Sequence, residues 1–335
     1  MAQEKLKSVG VKMTSQADVS RRRVVEGVSL AWLVPGATIG FDLYRKKEDN
    51  SFAVYKSEGD QLGEWDRRRL VSMGVDRLYI DISNRADLDH YLSCNARSFV
   101  QQNSFDIKHR SRYLYDSANR IMRNFLAFPD QREYYTMAVE IAASTTELVL
   151  SDAKAFYALV DCASNKYYTY SHSVDVMIYA IGLGQKMGLK KEQLEKLATG
   201  ALLHDIGKSR IPSEVIDKEG PLSAQEYELV KKHPLYGGEI LSELGISDEV
   251  ILEAVLHHHE KLDGSGYPHG LKGEAISLVA KIVFMADVFA ALSTNRSYQD
   301  AQKSFEALRI MKSEMAGQFD DRLLKPFILL MGRAA

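Results

Sequence analysis

The chain has 335 residues, 45% hydrophobic and 26% charged, a globular composition long enough for about two domains and for a core that needs no disulfide. The formal net charge of −2 excludes the strongly basic field expected of a binder of nucleic acid polymers or anionic membranes. No apolar run reaches about 18 residues, the N-terminus has no signal-like apolar stretch, and Cys94 and Cys162 form no metal-binding spacing, so a cytoplasmic protein with no membrane segment is expected.

Residues 1–23 read as a flexible, mildly basic tail, and residues 24–100 as a small α+β regulatory domain. Within it, Pro35-Gly36 marks a turn and Ile39, Phe41 and Leu43 alternate as in a strand. The polar break KKEDNS before Phe52-Ala53-Val54-Tyr55 predicts a hairpin. A short helix over LGEWDRRRLVSMG places Leu62, Trp65, Leu70 and Met73 on one side, with Gly74 as its C-cap. The segment from Val75 to Ile82 reads as the returning strand. From about Phe105 the period turns helical, with Leu114, Ala118, Ile121 and Phe125 on one face up to Pro129, and a second stretch follows over 131–160. Residues 101–150 read equally as a helical connector or as the first helices of the next domain. Helices over 171–187, 191–205, 223–244, 247–259, 275–293, 300–316 and 320–331 then make 151–335 an all-α domain, and the whole chain mainly α. Gly182, Gly184 and Gly188 follow no strand and miss the spacing of a dinucleotide loop.

Chemistry-bearing residues concentrate in the α-helical half, which holds seven of the nine histidines. His204-Asp205-Ile-Gly-Lys208 closes a helix whose apolar side is Leu194, Leu197, Ala198, Ala201 and Leu202. His257-His258-His259-Glu260 ends another, and His258 continues the inward side made by Ile251, Ala254 and Val255. Asp287 interrupts the apolar helix IVFMADVFAAL. A buried carboxylate is costly unless it is paired or bound to metal. Inward His, His and Asp from separate helices are the composition of a metal cage in a bundle. Imidazole and carboxylate without thiolate suit Fe, Mn or Zn. A carboxylate adjoining a histidine can bridge two ions, an arrangement suited to in-line attack on phosphorus. Each of these groups taken singly also fits a satisfied core histidine or a capping aspartate.

The run His204-Asp205-Ile-Gly-Lys208, together with His258-His259-Glu260-Lys-Leu-Asp263-Gly-Ser-Gly266-Tyr267-Pro268 and the continuation GLKGEAISLVAKIVFMADVFAALSTNRSY, resembles the HD-GYP family over about residues 150–335. The segment 24–82, with its Pro-Gly turn and its LYID ending, is similar to a small domain that often precedes it. The resemblance implies an HD-superfamily helix bundle that hydrolyses cyclic di-GMP in bacterial signalling, to linear pGpG and possibly on to GMP. It implies that His172, His204, Asp205 and Asp287 hold one divalent transition-metal ion, Fe or Mn. His233, His258 and His259 would hold a second ion, with Asp205 bridging. His257 falls outside the motif and reads as a helix-surface residue.

Three positions depart from the family pattern: Tyr168 where some members carry a Glu for a third metal, Gln299 in place of a basic residue after Arg296-Ser-Tyr298, and Asp175 where Arg is common. Two ions are therefore expected rather than three. Lys208, one turn beyond the proposed metal pair, can reach a metal-bound phosphate or water or, alternatively, serve as a helix C-terminal charge, and Arg296 can fork onto a phosphate or, alternatively, form a surface ion pair. Gly266 permits a tight loop. Tyr267 and Pro268 wall the substrate pocket or a partner surface, and Asp263 either contacts substrate or fixes the loop. The partners expected are cyclic di-GMP, a GGDEF-type or other signalling protein, and a second copy of the chain. Two rival readings stay open: a receptor that binds cyclic di-GMP without turnover, and a hydrolase of another cyclic dinucleotide.

Overall fold

The computed structural model describes residues 24–102, 104–163, 169–294 and 300–332, with side chains at 294 and 300–303 excepted. The tail expected over 1–23, together with Tyr168, Arg296, Tyr298 and Gln299, lies outside the described residues. The chain divides into two compact units after residue 103.

The first unit runs β1 (Val25–Ser29), β2 (Leu43–Lys46), β3 (Phe52–Lys56), α1 (Glu64–Ser72), β4 (Arg77–Asp81) and α2 (Arg85–Gln101). Its antiparallel sheet has the order β1-β4-β2-β3, with Val25 opposite Asp81 and Tyr44 opposite Tyr79. The expected hairpin is β2–β3, turned through Asn50 at φ 61°. Ile39, Phe41 and Leu43 are all buried, as their alternation requires, but only Leu43 lies in a named strand. Gly74, at φ 70°, follows α1 as its C-cap reading requires. The apolar side expected of α1 needs correction. Leu62 and Leu70 are buried, whereas Trp65 and Met73 are exposed, and the Arg69 guanidinium lies 5.2 Å from the Trp65 ring. Of the nine residues of the helix itself, only Leu70 is buried.

The second unit is a helix bundle: α3 (Ile107–Ala127), α4 (Arg132–Ser151), α5 (Ala155–Val160), α6 (Thr169–Lys186), α7 (Lys191–Leu203), α8 (Ser213–Ile216), α9 (Ala224–Val230), α10 (His233–Glu243), α11 (Glu249–His257), α12 (Leu278–Thr294), α13 (Asp300–Ser313) and α14 (Asp321–Met331). The mainly α architecture expected from the sequence is the one observed. Helices α3 and α4 pack against α6 and α7. Helix α6 is buried without a break from Ser171 to Gly184, as a helix apolar on all sides must be. Gly182 faces the Phe156 ring so closely that a Cβ there would fall 2.2 Å from it.

Two local features aim the site. The helix expected over 223–244 is in fact two, because Pro234 occupies the first turn of α10 and the chain restarts there. His233 is thereby the first residue of a new helix. After α7 the chain tightens into a 3₁₀ turn, Ile206–Arg210, laid directly on that restart. A Cβ on Gly207 would sit 2.0 Å from the His233 carbonyl oxygen, so only glycine allows this backbone-on-backbone approach. It brings Asp205 beside His233.

Candidate metal centre

Seven side chains converge from five places in the bundle: His172 of α6, His204 and Asp205 just after α7, His233 opening α10, His258 and His259 just after α11, and Asp287 of α12. All are buried except His259, which is half-buried. Their ligand atoms fall into two groups, each within 4.8 Å: Asp205, His233, His258 and His259 in one, and His172, His204 and Asp287 in the other.

Hydrogen bonds to the backbone fix which nitrogen each ring presents. Nδ1 of His204 donates to the Ala201 carbonyl at 2.7 Å, Nδ1 of His233 to Val230 at 2.7 Å, and Nδ1 of His258 to Val255 at 2.9 Å. In a neutral imidazole this leaves the Nε2 lone pair exposed. Those lone pairs face one another and the same carboxylate. His233 Nε2 is 3.1 Å from His258 Nε2 and 3.2 Å from Asp205 Oδ1, and His204 Nε2 is 3.3 Å from Asp205 Oδ2. Among the described residues, His204 Nε2 and Asp205 Oδ1 are fully enclosed and make no hydrogen bond. Acceptors packed against acceptors repel, and each unsatisfied buried group costs about 1–3 kcal/mol. A cation between them removes both penalties, so the residues fit a metal. Backbone-anchored Nδ1–H groups are also how metal-bound histidines are held in one orientation.

Burial pushes His233 down to about 3 and His259 to about 4, and holds His258 well below the usual imidazole range, with the neighbouring histidines adding to the effect. All three are neutral near pH 7, as ligands must be. Burial opposes ionisation of Asp205, but Lys208 and His204 overcome it and hold the carboxylate far below its ordinary range. Asp287 is likewise held low against burial, chiefly by the His172 Nε2–H donated to its Oδ1 at 2.8 Å. His204 moves the other way: burial disfavours its cation, but Asp205 and Asp287 outweigh that and raise it. The carboxylates therefore demand positive charge between them, whether proton or metal. Nitrogen and carboxylate donors without sulfur suit Fe, Mn or Zn.

Lys208 Nζ lies 2.5 Å from Asp205 Oδ2, at the edge of the cage. The Tyr267 ring lies on His259, centroids 4.6 Å apart and planes 32° apart, and meets His233 edge-on at 6.4 Å. Two residues hold the loop that carries it. A Cβ on Gly266 would fall 2.5 Å from Glu260 Cα and the His259 carbonyl. Glu260, buried, accepts from the backbone N–H of His269 at 2.7 Å and of Leu271 at 2.9 Å. Asp263 is exposed and accepts from Ser265 N at 2.8 Å, which is the loop-fixing arrangement. His257 points away from the cage, donating from Nδ1 to Glu253 at 3.0 Å and meeting His269 of the loop at 3.1 Å. Glu260, though part of the quoted motif, carries no role in the sequence reading, and its buried carboxylate between two histidines and a glycine-rich loop was the available signal.

The profile of the HD domain family matches residues 140–323, more than half of the chain. The chain belongs to the HD domain family. The HD-GYP resemblance extends to curated relatives. The cyclic di-GMP phosphodiesterase PA4108 of Pseudomonas aeruginosa is 36% identical over 193 residues, covering 58% of this chain and 45% of the relative. The 3′3′-cGAMP-specific phosphodiesterase 1 of Vibrio cholerae is 35% identical over 178 residues, 53% of this chain and 41% of the relative. The cyclic di-GMP phosphodiesterase response regulator RpfG of Xanthomonas campestris is 41% identical over 162 residues, 47% of this chain and 42% of the relative. The chain thus spans less than half the length of these relatives. An HDG"Y"P protein from Bdellovibrio bacteriovorus shares the fold, with a TM-score of 0.63 and 22% identity over 92% of this chain and 99% of its own. Among the described residues, no helix of this HD domain protein is long and apolar enough to cross a membrane.

Proposed function

We propose that this HD domain protein is a metal-dependent phosphodiesterase that opens cyclic dinucleotides, with cyclic di-GMP as substrate and linear pGpG as product. The observation that carries the reading is Asp205 lying between two groups of ligands, with its Oδ1 and the His204 Nε2 enclosed and without a hydrogen bond among the described residues. Two divalent ions bound there, Fe or Mn, would supply Lewis acidity and lower the pKa of a bound water. His172, His204 and Asp287 would hold one ion and His233, His258 and His259 the other, with Asp205 placed between the two groups. Lys208, beside Asp205 Oδ2, keeps a positive charge where phosphate charge grows in the transition state. Tyr267 walls the cage on the His259 side, and Glu260 positions it through the loop backbone. Arg296 is assigned to phosphate by resemblance, in a bacterial signalling role that includes a GGDEF-type or other signalling protein and a second copy as partners.

The names of the Vibrio cholerae relatives favour one second reading, hydrolysis of 3′3′-cGAMP by the same residues. The test incubates anaerobically Fe- or Mn-loaded full chain with cyclic di-GMP, 3′3′-cGAMP and cyclic di-AMP in parallel. Linear dinucleotide from a guanine-containing substrate is expected. Intact ligand after hours, with both ions loaded, would overturn the enzyme reading in favour of a receptor.

A further inference from the structure

Helix α9 and its C-cap carry three residues that the metal chemistry does not use. Lys231 Nζ lies 5.6 Å from the centroid of Tyr267, the ring already packed on His259, and 5.9 Å from that of Tyr227. Its ammonium pairs with Glu228 Oε1 at 3.0 Å. Tyr227 is 51% exposed and the Glu228 side chain 66%, so a flat ring and a carboxylate face solvent, with a cation between them and the mouth of the metal cage. As a mere surface ion pair this set would add little to stability. Its continuity with Tyr267 and the ligand His259 sets it apart from an isolated surface pair.

We infer that Tyr227, Glu228 and Lys231 form a guanine-recognising subsite beside the metal centre. The inference rests on the reading of the cage as a cyclic-dinucleotide site and says which base that site selects. Guanine presents adjacent groups of opposite character, the acceptor O6 and the donor N1–H. An ammonium and a carboxylate 3.0 Å apart offer the complementary order, Lys231 donating to O6 and Glu228 accepting from N1–H. Lysine donating to guanine O6 and N7 is a recurring specific contact. Adenine reverses both groups, with an amino donor where guanine has O6 and an acceptor at N1. Its amino group would then face the ammonium and its N1 the carboxylate. Tyr227 supplies the stacking face, which every base can use, so affinity comes from the ring and selectivity from the charged pair.

The experiment measures Kd by calorimetry for cyclic di-GMP, 3′3′-cGAMP and cyclic di-AMP on metal-loaded full chain, wild type against Lys231→Met, Glu228→Gln, Tyr227→Ala and Tyr227→Phe. Lys231→Met and Glu228→Gln are expected to weaken cyclic di-GMP about tenfold or more while moving cyclic di-AMP less than twofold, collapsing the preference. Tyr227→Ala should weaken all three ligands together, and Tyr227→Phe should restore them. Loss of preference supports the subsite even if no ligand is turned over, an outcome that would count only against the catalytic reading. Equal effects of Lys231→Met on guanine and adenine ligands, or none on either, would overturn the inference.

Discussion

Asp175 lies on α6 with 2% of its surface exposed. The Tyr115 hydroxyl of α3 donates to its Oδ1 at 3.0 Å. Burial pushes the carboxyl up to about 8, and the tyrosine hydrogen bond offsets only part of that. The folded chain therefore keeps this proton between pH 3.8 and about 8, whereas the unfolded chain gives it up. Because the folded state binds the extra proton, stability is fullest below the unfolded value, falls as pH rises through this window, and levels off above it. The slope is about 1.4 kcal/mol per pH unit, so the cost at pH 7 approaches about 4 kcal/mol. Asp175→Asn preserves the acceptor for Tyr115 and carries no titratable proton. Urea unfolding of both proteins at pH 5, 6, 7, 8 and 9 should show the variant gaining on the wild type by about 1.4 kcal/mol per unit up to pH 8, then a constant gap. Half that slope would still be readable. Parallel stability profiles for the two proteins would refute the assignment of a buried, protonated Asp175.

Three further outcomes follow from the cage and its loop. Asp205→Asn removes the carboxylate between the two ligand groups; elemental analysis should find metal content falling from two ions per chain to one or fewer, with helical circular dichroism unchanged. Lys208→Ala should lower kcat for cyclic dinucleotide hydrolysis on the order of 10²–10³-fold while changing KM far less, as loss of a charge-stabilising donor does. Glu260→Gln turns an acceptor-only group into one whose amide faces a backbone N–H, so hydrogen exchange at the His269 and Leu271 amides should quicken and KM should rise, while the metal content stays at two.

The cage was legible in the sequence because its residues contradict their surroundings. Asp287 within IVFMADVFAAL and His258 on the inward side of α11 are polar groups where the helical period demands apolar ones, and that conflict survives without coordinates. The break between α9 and α10 was not legible: a proline in the first turn of a helix leaves the 3.6-residue period running through Lys231 and Lys232, so one helix is read where there are two. Helix α2 escaped notice because its buried set, from Leu88 to Val100, is interleaved with Asp89 and Ser93, which are buried as well. The exposure of Trp65 is set by tertiary packing, which the helical period alone does not give. Glu228 and Lys231 look like any solvated i,i+3 pair until the fold sets Tyr267 beside them.

The central claim is that two cations sit among seven ligands with Asp205 between them. Anomalous diffraction at the Fe and Mn edges, on crystals of chain reconstituted without oxygen, tests this most directly. Two peaks per chain are expected, one contacting His172, His204 and Asp287, the other His233, His258 and His259, with Asp205 touching both. A single peak at full occupancy, or a peak that leaves His233 Nε2 and His258 Nε2 uncoordinated, would contradict it.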